Sequence, residues 1–192
     1  MAKLTFSLML LCFVFAMAVV QSTVQGFEEN NHEWFQKLQD AKENLTKLHF
    51  YFHDVQSGKN ATSVKVVEVA NTSKSATSFF GEVNMIDNLL TEGPKRRSKL
   101  VGRAQGLYGF ASQEEMTLIM AMNFVFTSGN YNGSSLTILG HNPVLHQLRE
   151  MPIVGGTGVF RLARGFAMAK TFSLNTKSGD AIVEYNVTAL HY

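Results

Sequence analysis

Cysteine is almost absent from this 192-residue chain; Cys12 is the only one. It lies inside the apolar run 4–20, behind the single early cation Lys3, and small and polar residues follow up to Gly26. That layout predicts a cleaved secretory signal peptide over 1–26, with cleavage near 22–26. The competing reading is a membrane anchor, for which the run is short against the ~20 residues of a span. Without that segment the chain has no thiol. Disulfides, a cysteine nucleophile and thiolate metal ligation are then excluded. Stability must come from core burial and assembly.

Charge is scarce too. Lys and Arg number 17 against 15 Asp and Glu, and removing Lys3 takes the net charge from +2 to +1. No global field recruits nucleic acid or a membrane. The one basic cluster, Lys95-Arg96-Arg97-Ser98-Lys99, follows Gly93-Pro94 and reads as a solvated loop rather than a docking patch. Only three prolines occur, Pro94, Pro143 and Pro152, and all fall outside the expected strands.

Metal and cofactor motifs are missing. His49 and His53 are four apart, which suits a helix but leaves them roughly 13 Å apart on a strand. No carboxylate stands at ligand spacing, so no metal site is expected. The glycines at 155, 156 and 158 lack the Lys-Ser/Thr of a phosphate loop, and no G-x-S-x-G or nucleotide fingerprint is present. No cofactor is expected. Chemistry must rest on shape, hydrogen bonding and acid–base groups.

What is present is β pattern. Residues 27–45 read as a loose, polar arm with one short helix around Trp34–Lys42. Strands are expected at 46–55, 63–71, 79–87, 99–111, 116–127, 133–141, 159–173 and 180–192, separated by Gly, Asn, Ser and Lys clusters. Past Arg149 and Pro152 an apolar run enters a glycine turn at Gly155-Gly156-Thr157-Gly158. Eight antiparallel strands at hairpin spacing give a closed barrel or a sandwich. In 117–126, Leu118, Met120, Met122, Phe124 and Phe126 share one face and Ile119, Ala121 and Val125 the other. A wall apolar on both faces predicts a homo-oligomer. Sequons at Asn44, Asn60, Asn71, Asn132 and Asn186 predict a glycosylated, secreted protein.

Asp54 is the best single candidate for chemistry. Leu48, Phe50, Phe52 and Asp54 alternate onto one face, so a carboxylate ends an apolar row. If buried without a cation its pKa rises, and it can act as an acid or base near neutral pH. Equally, it could cap the turn that follows and be solvated. Arg149 could pair with Asp54 or clamp an anionic oxygen, or stand on the surface before a loop. Tyr108 shares its face with Gly102, Ala104 and Gly106, small neighbours that would leave a cavity for its hydroxyl. A core tyrosine is the alternative. Asp87 ends a strand and suits a turn.

Three blocks carry a family resemblance: His49-Phe50-Tyr51-Phe52-His53-Asp54, Gly102-Arg103-Ala104-Gln105-Gly106-Leu107-Tyr108, and residues 149–166 with Gly155-Gly156-Thr157-Gly158. With Asp87-Asn88-Leu89-Leu90-Thr91 and Gly179–Val187, residues 46–192 resemble the dirigent family of secreted plant proteins. The resemblance implies an all-β, eight-stranded antiparallel up-and-down barrel of calycin, allene oxide cyclase-like type. It implies a homo-oligomer, a trimer with a dimer as the alternative, in the apoplast. It implies no oxidase activity: a separate laccase or peroxidase supplies phenoxy radicals, and the protein holds them so that they couple with one regio- and stereochemistry, as in lignan formation. By motif, Asp54, Tyr108 and Arg149 match the catalytic pocket residues, and Asp87, Arg103, Phe110 and Asn142 are further substrate contacts.

The chain departs from the lignan-directing members. They carry an aspartate where Asn142 stands, a proline where Leu89 stands, and disulfide cysteines that are absent here. Ser112-Gln113-Glu114-Glu115-Met116 and the ending His191-Tyr192 look more like the other large subfamily. That subfamily includes pterocarpan synthases, which close an isoflavanol by dehydration through a quinone methide. A hydro-lyase of that kind is the alternative function, and a lipocalin-like carrier without chemistry a further one.

Overall fold

A computed structural model describes residues 40–68 and 78–192, together with Cys12, Phe13, Phe15, Met17, Trp34–Gln36 and Leu38. The signal-peptide reading of 1–26 falls largely, and the sequon at Asn71 wholly, outside the described residues. The chain divides into two compact units, Met1–Lys42 and Glu43–Tyr192. In the first, Trp34–Gln36 and Leu38 are helical and the Ala41 amide donates to Leu38 O at 3.3 Å. Asp40 is already a bend, so this helix stops short of Lys42. Among the described residues, no helix is long and apolar enough to cross a membrane.

The second unit is β throughout. Its strands are β1 (Asn44–Asp54), β2 (Ser63–Val67), β3 (Val83–Thr91), β4 (Leu100–Phe110), β5 (Thr117–Phe126), β6 (Ser135–Pro143), β7 (Arg149–Thr157), β8 (Arg164–Leu174) and β9 (Ala181–His191). They pair antiparallel in the order β1-β9-β8-β7-β6-β5-β4-β3-β2, and β1 also pairs with β3. That last pairing closes the sheet. β1 meets the end of β3, Leu89–Thr91, and β2 meets its start, Val83–Ile86. Both lie along one edge of β3, so nine segments fill the eight positions of a closed antiparallel barrel.

Period-2 alternation fixes what fills it. Phe50, Phe52, Met120, Met122, Phe124, Phe126, Tyr185 and Val187 all point inward and are buried. Phe50 stacks on Tyr185 with centroids 6.0 Å apart, and Phe124 meets Tyr185 edge-on at 5.2 Å. Each such ring contributes on the order of 1.5–3 kcal/mol by leaving water. On β9, Tyr185 and Val187 face inward, and Glu184 and Asn186 face outward.

Two expectations are corrected. Gly155–Thr157 close a strand, β7, that starts at Arg149 and is not among the expected strands; the turn begins only at Gly158, whose φ is +62°. Pro152 sits inside that strand and Pro143 ends β6, so the prolines are not confined to loops. Residues 149–152 pair with β8 only, while β6 pairs with β7 from Ile153 onward, past a register shift. A missing backbone donor is tolerated on that unpaired side, where a Cβ at Gly140 would lie 3.0 Å from Pro152 Cδ.

The glycines beside Tyr108 also meet a constraint of strand packing. A side chain at Gly106, where φ is +151°, would place its Cβ 2.2 Å from Ala121 O, and one at Gly102 would lie 2.1 Å from Val125 O. These glycines let β4 and β5 approach each other.

Candidate active site

The site forms where β1 breaks off and β2 resumes. Between them Val55–Thr62 makes an excursion, closed at its base by Val55 O, which accepts from the amides of Thr62 (2.7 Å) and Ser63 (3.0 Å). The break brings four inward side chains together: Asp54 at the end of β1, Ser63 at the start of β2, Asn88 on β3 and Tyr108 on β4.

Asp54 is buried, with 8% of its surface exposed. Asn88 Nδ2 donates to its Oδ1 at 3.1 Å. Tyr108 Oη donates to its Oδ2 at 3.2 Å, and Gln56 Nε2 lies 3.5 Å from the same oxygen. Tyr108 Oη in turn is 3.0 Å from Ser63 Oγ and accepts from Gln56 Nε2 at 3.1 Å. Asn88 is itself oriented, because its Oδ1 accepts from Thr62 Oγ1 at 2.5 Å. Burial raises the Asp54 pKa, and the donors from Asn88, Tyr108, Gln56 and Ser63 only partly offset it. Burial and the neighbouring Asp54 charge push the Tyr108 phenol up, so it remains a donor. A carboxyl whose pKa is raised in this way holds its proton more readily than a solvated one and can give it to an oxygen placed against it.

His53 faces the other side of β1 yet is buried. Its Nε2 is 2.7 Å from Thr91 Oγ1, and that hydroxyl donates to Gly93 O at 2.7 Å. The threonine has one proton, so His53 Nε2 carries the hydrogen in the other bond. Burial, then the Arg96 charge, lowers its pKa, which keeps the ring neutral. A cleft of about 330 Å³ opens at this rim, lined by His53, Asp54, Arg96, Ser173, Asp180 and Ile182 among others.

Arg149 is buried, on the inward face of β7. Nε donates to Asn142 Oδ1 at 3.1 Å, and Nη1 donates to Thr171 Oγ1 at 2.8 Å and to His146 O at 3.2 Å. The expected pairing with Asp54 is not formed, and among the described residues no carboxylate lies within ion-pair reach of the guanidinium. Burial lowers its pKa, though the group stays cationic. Tyr185, almost fully buried on β9, lies in the fields of both Arg149 and Asp54; burial, more than either, raises its phenol pKa.

The other sequence candidates separate. Asn142 is buried against Arg149. Phe110 is half-buried, with Tyr108 6.3 Å and Phe79 5.3 Å away between centroids. Asp87 and Arg103 do not join the cluster. Alternation places both on the outer wall, where Arg103 Nε meets Asp87 Oδ1 at 2.5 Å. That ion pair, with Gln105, holds the Asp87 carboxyl below the usual range. Asn44, Asn60, Asn132 and Asn186 are all exposed. Among the described residues no cluster of ligands could hold a metal ion.

Four residues of the site were not sequence candidates. Asn88 carries a legible signal: it is the polar member of an inward row, Ile86-Asn88-Leu90. Tyr185 lies on a face that alternation marks as inward. Gln56 and Ser63 depend on how the excursion folds back, which no local pattern reveals.

Comparison with known proteins gives one answer. The family model for "Dirigent-like protein" matches residues 45–190. Dirigent protein 23 of Arabidopsis thaliana is 53% identical over 161 residues, 83% of this chain and 86% of that one. Pterocarpan synthase 1 of Glycine max is 49% identical over 152 residues, 79% of this chain and 81% of that one. The solved structure of the pterocarpan synthase dirigent protein GePTS1 superposes with a TM-score of 0.74 at 50% identity, covering 79% of this chain and 87% of that one.

Proposed function

The chain belongs to the dirigent family, and from that premise we propose that its barrel holds a phenolic intermediate, a phenoxy radical or a quinone methide, in one orientation while Asp54 moves a proton. The observation that carries this reading is a buried carboxyl, raised in pKa, touching a phenol that stays protonated. Asn88 and Tyr108 each donate to one of its oxygens, which holds the carboxyl in one orientation. In the coupling reaction a separate oxidase would supply the radicals, and selectivity would come from how the lumen seats the two rings.

A second reading, dehydration of an isoflavanol, is favoured by the surroundings of Arg149. Its guanidinium meets a neutral amide, Asn142, and so keeps its charge for a substrate phenolate. Two pterocarpan synthase structures at 50% identity support the same direction. In this reaction a substrate phenol loses its proton and the benzylic C–O bond breaks. The hydroxyl leaves as water with the Asp54 proton. A second phenol of the quinone methide then closes the ring, its proton returning to Asp54 and the first phenolate regaining one from solvent.

We further propose secretion to the apoplast, glycosylation at exposed sequons, and assembly as a trimer. Support for assembly comes from Ile119, Leu139, Val154 and Phe166, which stand exposed on the outer faces of β5–β8. Apolar area of that kind is commonly covered by a partner.

The two reactions separate in one experiment. Purified protein is incubated with racemic isoflavanol and no oxidase, and separately with a laccase and coniferyl alcohol. Dehydration in the first assigns the lyase; enantiomeric excess in the second alone assigns the guide. Neither product would remove both readings and leave a carrier.

A further inference from the structure

The excursion between β1 and β2 is fastened at its outer side by one carboxylate. Asp180, in the turn between β8 and β9, accepts from the Gln56 amide at 2.8 Å, the Ser57 amide at 3.1 Å and Ser57 Oγ at 2.7 Å. The Gln56 backbone is thereby tied to that turn while its side chain reaches inward. Its Nε2 has two protons and three acceptors nearby: Tyr108 Oη at 3.1 Å, Gly179 O at 3.3 Å and Asp54 Oδ2 at 3.5 Å. Gln56 is itself exposed, although the acid it touches is buried. It therefore covers the acid on its Oδ2 side, next to the cleft that His53 and Asp54 line. A substrate hydroxyl that approaches Asp54 Oδ2 or Tyr108 Oη from this side competes with the amide for the same atoms.

We propose that Gln56 is a plug over the acid and that Asp180 is the latch that holds it, so that substrate gains the acid when this loop is released. The inference rests on Asp54 and Tyr108 being the reacting site. The geometry favours lifting the outer half of the loop alone. Its base is closed by backbone bonds to Val55 O, whereas the latch depends on a single half-buried side chain. The tip turns at Gly58, where φ is +78° and nothing crowds the Cα. One further tether, Arg96 Nη2 to Asn60 O at 3.4 Å, is long and exposed. In the closed state the amide stands in for the substrate hydroxyl as a hydrogen-bond partner, which keeps Asp54 and Tyr108 satisfied while the site is empty.

Two measurements on the full chain test this. The first is amide hydrogen exchange read by NMR. Asp180→Ala should speed exchange at the Gln56 and Ser57 amides tenfold or more and leave the Thr62 and Ser63 amides unchanged, as local release of a loop requires. The second is titration with coniferyl alcohol and with racemic isoflavanol. Removing one competing neutral hydrogen bond should tighten binding about fivefold in Gln56→Ala. Asp180→Ala should also tighten it, and the double variant should bind no tighter than Gln56→Ala alone. A purely structural role would instead give additive losses. Weaker binding by Gln56→Ala would mark it as a ligand contact and overturn the plug. Unchanged exchange at Gln56 and Ser57 in Asp180→Ala would overturn the latch. If the unaltered protein binds neither phenolic, the proposed function fails, and the exchange result alone decides the latch.

Discussion

Arg149 donates to Asn142 Oδ1 through Nε at 3.1 Å, so a buried guanidinium is met by an amide where an acid would neutralise it. Asn142→Asp should convert this contact into a buried ion pair. The new carboxyl would have its folded-state pKa depressed by Arg149. Its stabilisation should be present above the ordinary carboxylate range and lost as pH falls through the depressed value. Thermal unfolding should show a gain at pH 7 that disappears in acid. Binding of a phenolic should weaken several-fold at the same time, because the cation is already neutralised. A tighter-binding Asn142→Asp would contradict the assignment of Arg149 to the phenolate.

Asp54 has the opposite sign. Its pKa is raised in the folded protein, so the folded state binds more protons than the unfolded state between the ordinary value of 3.8 and the raised one. Stability contributed by this group is full at low pH and falls as pH rises through that window. Asp54→Asn removes the titration. The difference in unfolding free energy between the two proteins should slope with pH above 3.8 and level off once Asp54 is ionised in both states. Urea unfolding at a series of pH values measures it, and a flat difference would place the carboxyl in solvent.

Tyr108→Phe removes the donor to Asp54 Oδ2 and leaves Ser63 Oγ without its phenol partner. The lost net hydrogen bond should cost about 1 kcal/mol. Because that donor stabilises the carboxylate, the Asp54 pKa should rise further. Carbon-13 titration of the Asp54 carboxyl resolves the direction, and a fall would show that another group sets it.

Gly106→Ala tests the close approach of β4 and β5. The added methyl would lie 2.2 Å from Ala121 O, at a φ of +151° that side chains rarely adopt. Destabilisation of about 2 kcal/mol or more is expected in thermal unfolding. A neutral effect would mean that the strands can separate there.

Much of the barrel is legible in the sequence because alternation is a local property. The row Leu48-Phe50-Phe52 marks the inward face of β1, but for Asp54 at its end alternation leaves a solvated turn cap equally open, and it is the fold that buries the acid. β7 is lost from the pattern for a physical reason. Its end is three residues of Gly and Thr, and Pro152 stands where a strand normally needs a donor. Only the one-sided pairing of residues 149–152 makes that harmless. The site is less legible than the fold. Period-2 reading singles out Asp54 and Tyr108, but does not show that a break in one strand brings Ser63 and Gln56 to them. Asp87 and Arg103 suit a binding pocket by residue type, and only the facing of β3 and β4 puts them on the outer wall.

The most direct test of the account is chiral analysis of the products of Asp54→Asn beside the unaltered protein. Both are given racemic isoflavanol without oxidase, and laccase with coniferyl alcohol. General acid–base assistance is worth about 10²–10⁴ in rate. Whichever product the unaltered protein directs should be lost by that order in the variant, with thermal unfolding still cooperative. Equal yield and equal enantiomeric excess from the two proteins would contradict it.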